Sequence, residues 1–133
     1  MEKAFDTTLH SGVINAPPKG ANYGVPLPIN RLQYLKGETV VAEFWSSNPT
    51  ENYVSGHNYL MVESKTSTGW QAIASDSDWD TTIRWRKKRG SFVAKLSWRT
   101  AEDTAAGGYR ITHQGQDTLG NAFMGVSDTI QIN

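Results

Sequence analysis

The side chains best suited to chemistry are three histidines, a spaced run of aspartates and a block of cations. His10 sits in an irregular N-terminal stretch, His57 in a Gly-Asn turn and His113 at a strand end, and no two of them lie within eight residues of one another. A zinc site needs three or four convergent ligands, usually including one close pair. Surface or capping histidines are therefore expected, and no metal site. Asp76, Asp78 and Asp80 in SDSDWDTT alternate like the opening of a calcium loop, but Thr81 stands where the loop wants Gly and Lys87 where it wants a bidentate Glu. Asp and Ser clusters of this kind more often close side-chain to backbone turns, with adventitious Ca²⁺ binding as the alternative. Within this turn Asp76 and Trp79 are read as structural residues. Cysteine is absent, as are a G-x-S-x-G elbow, a P-loop and a dinucleotide fingerprint, so thiol catalysis and the common nucleophile and phosphate motifs are excluded.

The cation block is Arg84, Arg86, Lys87, Lys88 and Arg89, five charges in six positions interrupted by Trp85. As a functional element, Trp85 with Arg86 to Arg89 is a basic loop with an aromatic anchor, suited to anionic headgroups or an acidic protein face. As a structural one it is a solvated hairpin turn, with Trp85 sharing the inward period of Ile83. The second reading is the commoner fate of such a run.

The elements that must position these groups follow from length and composition. At 133 residues with zero formal net charge and 38% hydrophobic residues, the chain fits one domain with a real core. The charge balance argues against nucleic-acid capture, and the composition argues against disorder. Twelve Gly, five Pro and five Trp favour turns and strands over helices. No apolar run is long enough to span a bilayer, and MEKAFDTTLH lacks the basic and apolar regions of a signal peptide. An export signal would have to lie upstream of this chain.

Four of the five prolines fall in residues 1–35, predicting an extended linker-like segment without a regular element. Its residues Val25, Leu27, Ile29, Leu32, Tyr34 and Leu35 are too apolar for a free tail and imply packing against something. Residues 36–133 read as seven strands: Thr39 to Ser46, Tyr59 to Ser64, Trp70 to Ala74, the Ile83–Trp85 run, Phe92 to Arg99, Tyr109 to His113, and Phe123 to Ile132. The cleanest period of two puts Phe92, Ala94, Leu96 and Trp98 on one face. The stretch TAEDTAA offers one or two helical turns at best. An all-β, immunoglobulin-like sandwich of antiparallel strands is predicted, with a small closed barrel as alternative. Tyr109, opening a late strand after a glycine bend, has the position of a tyrosine corner, or else is an ordinary strand aromatic.

The blocks PPKGANYG, KGETVVAEFWSSNP, YLMVE, GWQAIASDSDWDTTIRW, GGYRITHQG and FMGVSDTIQI, in that order, resemble the C-terminal domain of neutral ceramidases, zinc-dependent amidohydrolases that cleave ceramide. The likeness runs from about Asn15 to the end. It implies an immunoglobulin-like accessory domain with no catalytic residue and no cofactor of its own, the zinc and the catalytic serine belonging to a larger domain upstream. It also implies a secreted, periplasmic or cell-surface setting. The partners implied are that catalytic domain, docked through Tyr23, Val25, Leu27 and Ile29, and a membrane lipid surface; no nucleic acid is expected. The competing hypothesis is a free-standing carbohydrate- or protein-binding sandwich, with exposed members of Trp45, Trp70, Trp79, Trp85 and Trp98 as a stacking platform.

Overall fold

The structure, a computed structural model, describes residues 2–4, 23–29, 31–47, 59–75, 78–88, 91–116 and 121–133. Among these residues there are ten strands: β1 (Glu2–Ala4), β2 (Gln33–Tyr34), β3 (Thr39–Ser46), β4 (Leu60–Thr66), β5 (Gly69–Ser75), β6 (Thr81–Lys88), β7 (Ser91–Arg99), β8 (Gly107–Gln116), β9 (Ala122–Val126) and β10 (Ile130–Ile132). One sheet has the order β1-β6-β7-β3. The other has the order β2-β10-β8-β4-β5, with β9 also on β8. The alternation seen in the sequence decides which side chains meet. Val40, Ala42 and Phe44 of β3, Ile83 and Trp85 of β6, and Ala94, Leu96 and Trp98 of β7 form one wall. Leu60 and Val62 of β4, Tyr109 and Ile111 of β8, and Ile130 and Ile132 of β10 form the other, and both walls belong to one core. This is an immunoglobulin-like sandwich.

Three expectations are corrected by the pairing. The segment before residue 36 does form regular structure: β2 pairs in parallel with β10, and β1 in parallel with β6. Tyr34 of β2 is buried and Ile29 packs against the core, whereas Val25, Leu32 and Leu35 are exposed. The closing stretch is two strands, because β9 pairs with Thr112 to Gln116 and β10 with Gly107 to Tyr109. Between them Ser127 bridges the break at Ile111, its amide donating to the Ile111 carbonyl and its hydroxyl accepting from the Ile111 amide, each at 2.9 Å. The strand at Tyr109 starts two residues earlier, on Gly107, and runs on to Gln116. Gly115 belongs to it through its pairing with Phe123, and an added Cβ there would lie 2.6 Å from the Phe123 ring. TAEDTAA, given one or two helical turns at best, forms a turn that Thr104 closes, its hydroxyl accepting from the Ala101 amide at 2.8 Å.

The corner leading into β8 is fixed by Tyr109. Its hydroxyl donates to the Ala105 carbonyl at 2.6 Å while its ring packs on Trp98, the geometry of a tyrosine corner.

Candidate functional site

The arrangement closest to a catalytic pair is Ser46, at the end of β3, with His113, within β8 of the opposite sheet. The Ser46 hydroxyl lies 2.8 Å from His113 Nε2, and His113 Nδ1 lies 2.7 Å from the Tyr59 carbonyl oxygen. A carbonyl can only accept, so Nδ1 carries the proton, and Nε2 accepts from the serine hydroxyl. His113 has no exposed surface and is enclosed by the rings of Phe44, Tyr59 and Phe123. Burial pushes its pKa down to about 4, against the modest opposing effect of the Tyr59 hydrogen bond. The expectation of a surface or capping histidine is thus corrected: His113 is a neutral core residue tying the two sheets together. Parity along the strands carried a signal for this pair. Ser46 shares the inward register of Val40, Ala42 and Phe44, and His113 that of Tyr109 and Ile111. His10 and His57 lie outside the described residues. Among the described residues no three His, Cys, Asp or Glu side chains converge as metal ligands.

The aspartate run makes a turn. Asp78 Oδ2 accepts from the Ser75 amide at 2.7 Å, and the Thr81 hydroxyl reaches the carbonyls of Ser75 at 2.7 Å and Asp78 at 3.0 Å. Asp76 lies outside the described residues. Asp80 keeps a buried carboxylate oxygen, Oδ1, without a hydrogen-bond partner. Trp79, read from sequence as structural, is 84% exposed at the tip of the turn, so its ring contributes little to the core.

In the basic hairpin, Trp85 is only 5% exposed and meets Tyr59 edge to face, which removes it as a membrane anchor. Period two is the reason, since it must point inward with Ile83. Arg86 is tied to Glu43 at 2.7 Å, Lys87 is exposed, Lys88 is half-buried, and Arg89 lies outside the described residues.

The four docking residues expected on the linker are largely engaged by the sandwich itself. Residues 23–29 run along β3: the Gly24 amide donates to the Trp45 carbonyl at 2.6 Å, the Trp45 amide to Val25 at 3.0 Å, and the Leu27 amide to Glu43 at 2.9 Å. Tyr23 stacks on Phe123 and Ile29 packs against the core, leaving Val25 exposed and Leu27 half-buried. The segment covers an edge that would otherwise invite foreign strands. Nor do the tryptophans form a stacking platform. Trp85 and Trp98 are buried, Trp45 is half-buried, and half-buried Trp70 carries the Arg110 guanidinium 4.3 Å above its ring.

Comparison with known proteins places this geometry. A family model described as "Neutral/alkaline non-lysosomal ceramidase, C-terminal" matches residues 3–132. The neutral ceramidase of Mycobacterium tuberculosis is 35% identical over 107 residues, covering 79% of this chain and 17% of that protein. Neutral ceramidase B of Dictyostelium discoideum is 34% identical over 106 residues, covering 77% of this chain and 15% of that protein. The crystal structure of neutral ceramidase from Pseudomonas aeruginosa superposes with a TM-score of 0.76 at 25% identity, over 92% of this chain and 21% of that one. The chain thus spans well under a quarter of the relatives it matches.

Proposed function

Because the chain belongs to the family of neutral/alkaline non-lysosomal ceramidase C-terminal domains, we propose that it is the non-catalytic accessory domain of a ceramide amidohydrolase, packing on a zinc-bearing catalytic part. The observation that carries the non-catalytic reading is the Ser46–His113 pair, which has the elements of a nucleophile and base at 2.8 Å but lies sealed in the core where no substrate reaches it. Zinc, where the whole protein uses it, would act as a Lewis acid and generate a hydroxide nucleophile elsewhere. A secreted or cell-surface setting belongs to the same proposal and rests on family membership. Lipid contact through Lys87 and Lys88 is its finer part, supported by their position on a hairpin whose neighbouring Arg86 is already neutralised by Glu43.

The packing role is tested by domain exchange. This chain replaces the matching C-terminal part of the M. tuberculosis neutral ceramidase, and the half-life of ceramide hydrolysis at elevated temperature is compared with that of the enzyme cut short before the exchanged part. A longer half-life in the exchanged enzyme is expected. Equal half-lives would leave the domain without a buttressing role.

A further inference from the structure

Trp79 is 84% exposed and Ile73 of β5 is 46% exposed, and both line a groove of about 390 Å³ with Ala74, Asp80, Trp98 and Arg99. In that groove the Asp80 backbone carbonyl accepts from the Arg99 amide at 2.9 Å. A solvent-facing indole beside an isoleucine is an anchor without a pocket. Together they have the form of one half of an interface.

The course of β1 identifies the other half. Glu2 pairs with Thr82, Lys3 with Ile83 and Ala4 with Arg84, in parallel. Parallel strands advance together, so chain preceding Glu2 would run beside the residues preceding Thr82, which are Thr81, Asp80 and Trp79. The family model is C-terminal, and the relatives carry more than four fifths of their length outside the match, so in a protein built like them the upstream part arrives at this turn. The linker end of the sandwich is less available, since Gly24, Val25 and Leu27 already hydrogen-bond β3.

Resting on the accessory-domain reading above, we propose that the upstream catalytic domain docks on the Trp79–Ile73 face, bringing an apolar pocket for the indole.

Hydroxyl-radical footprinting tests this in the exchanged M. tuberculosis enzyme and in the isolated chain. Met124, 60% exposed on β9 beside the linker, serves as the internal reference. Trp79 oxidation should slow by about tenfold in the exchanged enzyme, as expected for an anchor moved from water into a desolvated pocket, while Met124 stays equally reactive. Protection of Met124 with Trp79 unchanged would overturn the assignment of this face and leave domain packing intact. Protection of neither would overturn the packing itself. As a second measurement, Trp79→Ala should shorten the activity half-life of the exchanged enzyme without shifting the urea midpoint of the isolated chain. An unchanged half-life would contradict the proposal. The same exchange into Dictyostelium neutral ceramidase B supplies a second background.

Discussion

At the residue scale, His113 makes the fold sensitive to acid. Its folded pKa of about 4 lies below the unfolded value near 6.5. The unfolded chain therefore binds the proton first, so stability is fully present above about pH 6.5 and is lost as the pH falls toward 4. The shift corresponds to about 3 kcal/mol, which should be visible as a fall in urea midpoint between pH 7 and pH 4.5 that His113→Gln largely removes; an equal fall in the variant would place the sensitivity elsewhere. Tyr109→Phe loses the bond to Ala105 and strands that carbonyl, and should cost about 1 kcal/mol in urea unfolding. A midpoint within error of wild type would mean that the hydroxyl adds nothing. Parity made Trp85 legible in the sequence, and the glycine bend before it made Tyr109 so. The Ser46–His113 pair was not read, because its members stand 67 residues apart and only the stacking of the two sheets joins them.

At the element scale, the linker is the least obvious part of the fold. Prolines argued against pairing, yet Pro26 forms an isolated bridge with Phe44, and the donors on either side of it serve β3. The device that admits it is Gly125 of β9, where any Cβ would overlap the Gly24 carbonyl oxygen. Gly125→Ala should therefore displace the 23–29 segment and destabilise the chain by about 2 kcal/mol, with faster amide exchange at Trp45. Unchanged exchange there would show that the contact is loose. The division of the last strand into β9 and β10 was hidden for a different reason. Ser127 takes its place at the break by bonding to both backbone groups of Ile111, a long-range match that no local pattern reports. The basic hairpin can be tested with vesicles. With about 1 kcal/mol for each cation near an anionic surface, replacing Lys87, Lys88 and Arg89 by Gln should weaken binding to anionic vesicles by an order of magnitude or more. High salt should do the same. Equal binding of wild type and variant would remove the hairpin from lipid contact.

At the scale of the whole molecule, the described residues give the sandwich a shared core, a linker-covered edge and a face where the Trp79 indole and Ile73 stand exposed. The fold class was legible because strands buried on one side repeat with period two. The exposed face was not, because Trp79 sits in a turn, where periodicity says nothing about which side meets solvent. The accessory role proposed for the chain means that it should contribute stability and placement while contributing no catalytic group. The most direct measurement of that claim is fatty-acid release from ceramide by the purified chain, with and without added Zn²⁺, beside the complete M. tuberculosis neutral ceramidase under the same conditions. No release above the enzyme-free background is expected from the chain at any zinc concentration. Zinc-dependent release by the chain alone would contradict the account.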